Sequence, residues 1–200
     1  MVDLNALLQR VRALLLAPVA EWPVIAAEPA TPAGLYREYI LFLAAIPAIC
    51  GFVKVSLIGY AWHGFRIYRL GIGAGVSAAL VFYAMTLIAV YVIAVIVDAL
   101  APNFGGEQSR VQALKLVAYS YTASWIAGFG RLLPWLSALV ALAGAAYSVY
   151  LLYLGLPTVM RVPAERSAGY TAAIVIIAIV VGYLVEVITG GIAGAVPGLD

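Results

Sequence analysis

Residues 75–100 read "GVSAALVFYAMTLIAVYVIAVIVDAL", a run whose one charge, Asp98, stands near its end. A helix rises about 1.5 Å per residue, so a run of this length crosses the roughly 30 Å hydrocarbon core of a bilayer. The next fifteen residues, 101–115, read "APNFGGEQSRVQALK" and pack a proline, two glycines, an acid and two bases ahead of another apolar run. "PNFGG" supplies the backbone freedom of a turn. In "SRVQ", Ser109 is placed to accept from the backbone of Gln112 while Gln112 reaches back to Ser109, a capping box that starts a helix at Arg110. The two stretches together describe a membrane helical hairpin.

Composition agrees. The 200 residues are 66% hydrophobic and 10% charged, with a mean hydropathy of +1.07. Soluble domains carry roughly 25% charged residues, and a soluble chain this small leaves too much surface outside to hide so much apolar area. The net charge of +2 does not suggest nucleic acid. One cysteine, Cys50, rules out an intramolecular disulfide, and one histidine, His63, beside it rules out the usual zinc constellations. Neither a nucleophile elbow, nor a metal motif, nor paired carboxylates stand out, and "GIGAG" at 71–75 lacks the preceding strand of a nucleotide loop. The chain reads as no enzyme, with no cofactor.

Five segments qualify as spans: 36–60, 76–100, 111–133, 134–156 and 170–193. The first has Thr31 as cap and Pro32 at the first helical position. Gly128, Gly130 and Pro134 in "GFGRLLP" mark a tight turn between the third and fourth. The expected fold is all-α: a membrane domain of five transmembrane helices over 36–195, preceded by a segment, 1–35, on the cytoplasmic side. In that segment Leu4, Leu7, Leu8, Val11, Leu14 and Leu15 share a helical face, with Asn5, Gln9 and Arg12 opposite, Asp3 as cap and Pro18 after the end. Such a helix either lies in the membrane interface or packs on the bundle. With the N-terminus inside, the cytoplasmic side carries Arg10, Arg12, Arg37, Arg110, Lys115, Arg161 and Arg166, against Lys54, Arg66, Arg69 and Arg131 opposite. Seven bases against four favour a cytoplasmic N-terminus and an external C-terminus.

Charges in such a chain need a reason. Asp98, in the last turn of the second span, and Arg110 and Lys115, in the first turns of the third, each oppose their helix dipole. A cluster of the three would cancel the conflict and lock the hairpin; alternatively they form a polar site facing the cytoplasm. With Asn103 and Glu107 they make the loop a candidate docking surface. Lys54 lies 18 residues beyond Tyr36, and Glu186 16 beyond Tyr170. Both therefore stand about 24–27 Å from the inner boundary. They are candidates for an intramembrane pair, or snorkel separately to the outer surface.

The third span is the least apolar. Gln112, Lys115, Tyr119 and Thr122 form one stripe, beside Ser120 and Ser124. Its strong apolar residues supply only about −3 kcal/mol, close to the insertion cost of Lys115 alone, so it should sit against protein. Tyr147, Ser148 and Tyr150 of the fourth span are its expected polar partners, and "ALAGAA" at 141–146 and "GGIAG" at 190–194 allow close helix approach. The same polar lining would suit a permeation path. In "AWHGFRIYR", 61–69, aromatics and bases each recur every third residue, which suggests a short interfacial helix.

"ALAPNFGGEQSRVQALKLVAYSYTASWIAGF" (99–129), "YSVYLLYLGLPTVMRVP" (147–163), "GYTAAIVIIAIVVGYLV" (169–185) and "LLQRVRALLLAPVAEWPVIAAEPAT" (7–31) carry a resemblance. Together they resemble the Yip family of five-helix membrane proteins (Ypt/Rab-interacting proteins), in its prokaryotic branch. The resemblance implies a cytosolic N-terminus and five helices. In eukaryotic members it implies vesicle traffic through prenylated Rab GTPases and partner Yip proteins. Those members carry a long N-terminal region with a motif like Asp-Leu-Tyr-Gly-Pro. Here about 35 residues precede the first span and the motif is missing, which argues against Rab-type GTPase binding.

Two functions follow. One is a non-enzymatic scaffold or membrane-organising, trafficking-type protein of the inner membrane, in contact with the bilayer and binding itself or another membrane protein. The other is a small oligomeric transporter, channel or lipid-handling protein. A water-accessible cavity reaching Lys115 or Glu186 would favour the second.

Overall fold

The computed structural model describes residues 3–62, 66–133 and 135–195. Two short helices open the chain, α1 (Leu4–Leu16) and α2 (Pro18–Ala27). A long helix α3 (Pro32–Ile58) follows, wound as wide turns over Tyr36–Ile40 and Val53–Ile58. After a small ribbon come α4 (Ile72–Leu100), α5 (Arg110–Ser120), α6 (Thr122–Ala127), α7 (Ser137–Val159) and α8 (Ala164–Ala195). A 3-10 turn, Ala101–Phe104, extends α4, and another, Gly128–Leu132, follows α6.

Among the described residues, four helices are long and apolar enough to cross a membrane, against the five expected: α3, α4 with its extension, α7 and α8. The difference lies at 111–133, where Tyr121 interrupts the helix between α5 and α6 and the chain then tightens. Its first part is interior. Every residue from Ala113 to Ser120 is buried. It needs no lipid-facing apolar surface because α2, α4 and α7 cover it. The lipid-type surface is carried elsewhere, by Leu80 and Ile88 of α4, Leu139 and Leu142 of α7, and Ile176, Ile179 and Tyr183 of α8, all exposed. An exterior of this kind is not found on a soluble monomer.

Helix starts follow the expected chemistry. Asp3 accepts from the backbone N–H groups of Asn5 and Ala6 at 2.9 and 3.2 Å, and Thr31 accepts from Gly34 at 3.1 Å. Ser109 accepts from Gln112 at 3.5 Å, but the return half of the expected capping box is not formed. The Gln112 amide is drawn away to the Ala26 carbonyl at 3.1 Å.

Two features differ from the sequence reading. No element was expected at 18–27, where α2 forms with Pro18 in its first turn and Pro23 inside it. The segment 61–69 was expected as a short helix. Instead Tyr60–Trp62 (β1) pairs antiparallel with Arg66–Tyr68 (β2), while residues 63–65 lie outside the described part. Gly59, at φ +90°, takes the chain out of helical geometry just before the ribbon.

One core joins all parts. Leu7, Val11 and Leu14 of α1 and Trp22 and Ile25 of α2 belong to the same buried cluster as Leu43, Val97, Leu116, Leu151 and Tyr170. Leu4 and Leu8, on the same predicted apolar face of α1, remain exposed. Small residues allow the α6–α7 crossing: a Cβ built on Gly144 would fall 2.3 Å from the Ala127 methyl. Tyrosine hydroxyls tie the long helices by donating to backbone carbonyls, Tyr36 to Leu87 at 2.7 Å and Tyr83 to Leu41 at 2.9 Å. Such bonds and close approaches substitute for the hydrophobic effect that is missing between helices in lipid.

Candidate functional site

One group of charged residues gathers at the end of the bundle where α1 and α2 dock. Lys115, on the buried face of α5, points its ammonium at the last turn of α2. It donates to the carbonyls of Ile25 at 2.8 Å, Ala26 at 3.5 Å and Glu28. A helix C-terminus leaves carbonyls without intrahelical partners and carries the negative end of the dipole, so a cation there is favourable. Lys115 and Gln112 thus cap α2 from another helix.

Arg10 of α1 completes this clamp. Its guanidinium reaches the carboxylates of Glu21 and Glu28 and lies 5.9 Å from the Tyr119 ring centroid. Burial acts against the charged form, but the hydrogen bond and negative charge of Glu28, with Glu21 beside it, hold Arg10 above its ordinary pKa. Below it, the Tyr39 and Tyr119 rings meet edge to face at 4.6 Å, and Tyr39 and Thr122 share a hydroxyl hydrogen bond of 2.6 Å. Tyr39→Phe deletes that bond, and thermal unfolding should show a loss of about 1 kcal/mol.

Arg10, Glu28, Tyr39 and Tyr119 frame a cleft of about 600 Å³, lined also by Asp3, Thr31, Glu38 and Lys115. Its volume lies within the range of small-ligand sites.

The connection 101–109 is tied to the α7–α8 connection. Glu107 accepts twice from Arg161, at 3.0 and 3.1 Å, and its backbone N–H donates to the Met160 carbonyl at 2.9 Å. Both side chains of that pair are exposed, so Glu107→Ala should leave the melting curve within about 0.5 kcal/mol of wild type. Asn103 lies exposed in the first 3-10 turn.

Of the expected Asp98–Arg110–Lys115 cluster, the structure brings two members together: Arg110 Nε meets Asp98 Oδ2 at 3.2 Å. Hydrogen bonds to Tyr91 and Asp98 push the Arg110 guanidinium up. Lys115 goes to α2 instead, because three carbonyls at a helix end offer it more acceptors than one carboxylate already paired. Of the expected Lys54–Glu186 pair, Glu186 lies 3.7 Å from Arg131. Arg131 stands in the 3-10 turn that packs beside the Lys54 turn of α3. Among the bundle contacts, Tyr119 and Thr122 meet Tyr39 of α3 rather than α7. Tyr147 donates to the Leu15 carbonyl at 2.8 Å and packs on Tyr150, whose ring is part-exposed. Across the hairpin the bond is Ser124 to Ser148, 2.8 Å.

Sequence reasoning missed Arg10, Glu21 and Glu28 as one group. Arg10 and Glu21 are eleven residues apart in separate helices, so no helical spacing signals their meeting.

With this geometry in place, comparison gives its family. The family model described as the Yip1 domain matches residues 12–185. The chain belongs to the Yip1 domain family. It is 30% identical over 166 residues to the inner membrane protein YohC of Escherichia coli strain K12, covering 82% of this chain and 85% of that protein. The same figures hold for YohC of Escherichia coli O6:H1. No solved structure matches the chain significantly. The matched region begins inside α1, so the family domain takes in α2, the Lys115 cap and the part of the cleft lined by residues 28–119, while Asp3 and Arg10 lie before it. Among the described residues, no group of three or more His, Cys, Asp or Glu side chains is placed to hold a metal ion. The chain is a multi-pass helical membrane protein of this family.

Proposed function

We propose that the chain is a non-enzymatic scaffold of the inner membrane. It crosses the bilayer five times from a cytoplasmic N-terminus and holds another membrane protein, or a second copy of itself, through its cytoplasmic end. The likeness to a protein named for the inner membrane supports the location. The five-crossing reading rests on the two tied connections, 101–109 and 160–163, lying at one end. The chain between them must leave that end and return, and 110–132 is about 34 Å long if helical throughout.

The observation that carries the binding role is the clamp. Lys115, Gln112 and Arg10 fix α1 and α2 rigidly against the bundle and so hold open the cleft between α1, α3 and α5. Its carboxylate Glu38 is exposed, and the 101–109 connection presents Asn103 and Gln108.

The transport reading has one observation in its favour: the cleft reaches Lys115. Against it, the Lys115 ammonium is spent on α2, and a second groove lined by Glu186 shares none of its residues. A photo-crosslinker placed in turn at Glu38 and Gln108, in native membranes, tests the choice. Capture of one defined protein at both positions supports the scaffold. Lipid adducts alone, with solute flux into liposomes that rises in Tyr39→Ala, would overturn it in favour of transport.

A further inference from the structure

At the other end of the bundle, α3, α4, α6 and α8 enclose a separate groove of about 220 Å³. Its walls are apolar, built from Phe82, Val90 and Ile93 of α4, Trp125 of α6, and Val181 and Val185 of α8. Of the three wall hydroxyls, Thr86, Tyr121 and Ser124, the first and last are satisfied within the protein. Thr86 donates to the Phe82 carbonyl at 2.8 Å, and Ser124 bonds Ser148 at 2.8 Å. They leave the walls fit for a hydrocarbon chain.

The same groove carries two charges of opposite sign, Arg131 and Glu186. They stand 3.7 Å apart, with 41% and 64% of their side chains exposed. That separation exceeds the roughly 2.7–2.9 Å of a closed charge-assisted hydrogen bond, so the pair is not shut on itself. The guanidinium lies 5.1 Å from the Phe82 ring centroid, which sets it beside the apolar wall. Glu186 is 16 residues beyond Tyr170, the start of the apolar run of α8. At about 1.5 Å per residue this is some 24 Å along the helix, in the far leaflet within reach of its headgroups.

An apolar slot with a cation and an anion side by side matches one kind of molecule present in a bilayer. A guanidinium forks onto phosphate oxygens, and a carboxylate accepts from an ammonium N–H. We infer that this groove is a binding site for an aminophospholipid, with an acyl chain along Val181 and Val185, the phosphate on Arg131 and the primary ammonium on Glu186. A glycerol headgroup would bring Glu186 no ammonium of its own, and a choline headgroup has no N–H to donate. The site is independent of the cleft at the opposite end.

Native mass spectrometry of the full chain, released from nanodiscs of phosphatidylethanolamine and phosphatidylglycerol, tests the inference. No atom lies within 4 Å of a Cβ built on Gly182, so Gly182→Leu fits the backbone and fills the groove. Ala89→Phe fills it from the facing helix, in case one variant folds poorly. Wild type should retain one phosphatidylethanolamine per chain, about ten-fold over phosphatidylglycerol, which corresponds to about 1.4 kcal/mol. Either filling variant should lose that lipid at unchanged melting temperature. Glu186→Gln should still hold a lipid but lose the headgroup preference. Retention indifferent to both fillings, wild-type binding blind to the headgroup, or a second protein chain in place of lipid would each overturn the assignment.

Discussion

Lys115→Met is expected to lower thermal stability sharply and to loosen the N-terminal helices before the bundle melts. The side chain is 3% exposed, and its ammonium serves three backbone carbonyls at the end of α2. Methionine fills similar volume but offers no donor. Buried acceptors left without partners cost about 1–3 kcal/mol each, and the Glu28 carbonyl, nearer water, recovers part of that; the loss should be on the order of 3 kcal/mol. The damage should be local first. Limited proteolysis within 28–31 should accelerate in Lys115→Met while cleavage elsewhere is unchanged. Lys115→Arg, which keeps donors and charge, should recover much of the loss. Melting and proteolysis both at wild-type levels for Lys115→Met would mean that Lys115 does not hold α2.

Gly155→Val should be the most damaging single change in α7. A Cβ at Gly155 would stand 2.6 Å from Leu116 Cδ1 and 2.8 Å from Trp22 Cζ2. Trp22 is 1% exposed and lies where α2 crosses α7, with α5 on its other side. A side chain of three carbons there must push α2 off the bundle or distort α7. Overpacking in a filled core costs typically about 1–3 kcal/mol, and a β-branched group against an immobile ring belongs at the upper end. Trp22→Ala makes the complementary error, a cavity costing about 3–5 kcal/mol. Gly155→Ala combined with Trp22→Phe should do better than the sum of the two single changes, because the residues touch. Additive losses in that cycle would show that Trp22 and Gly155 do not share one space.

Much of the molecule was legible from local chemistry. Thr31 and Pro32 start α3, Asp3 starts α1, and Ser109 starts α5. The shortage of apolar residues in 111–133 pointed to a segment set against protein, and 113–120 is buried throughout. Two readings were legible only in part. The three-residue repeat at 61–69 suggested a helix where the described residues form a ribbon, since periodicity over nine residues does not say what Gly59 does to the backbone. The misplaced charges of Asp98 and Arg110 pointed to a meeting, and they meet. Lys115 was grouped with them because all three sat near one loop, and loop proximity is a poor guide to where a long side chain points.

Solvent, helix count to within one broken segment, and the ends of most helices are determined by the sequence itself. Each depends on residues within a turn or two of one another, or on composition summed along a run. Only the tertiary structure decided the function of α2, the partner of Lys115, the Arg10–Glu21–Glu28 group and the Arg131–Glu186 mouth of the outer groove. These contacts join residues between 11 and 90 positions apart. No period or cap records such separations. They exist because several helices, each with its own backbone acceptors and charges, must satisfy one another where water is absent.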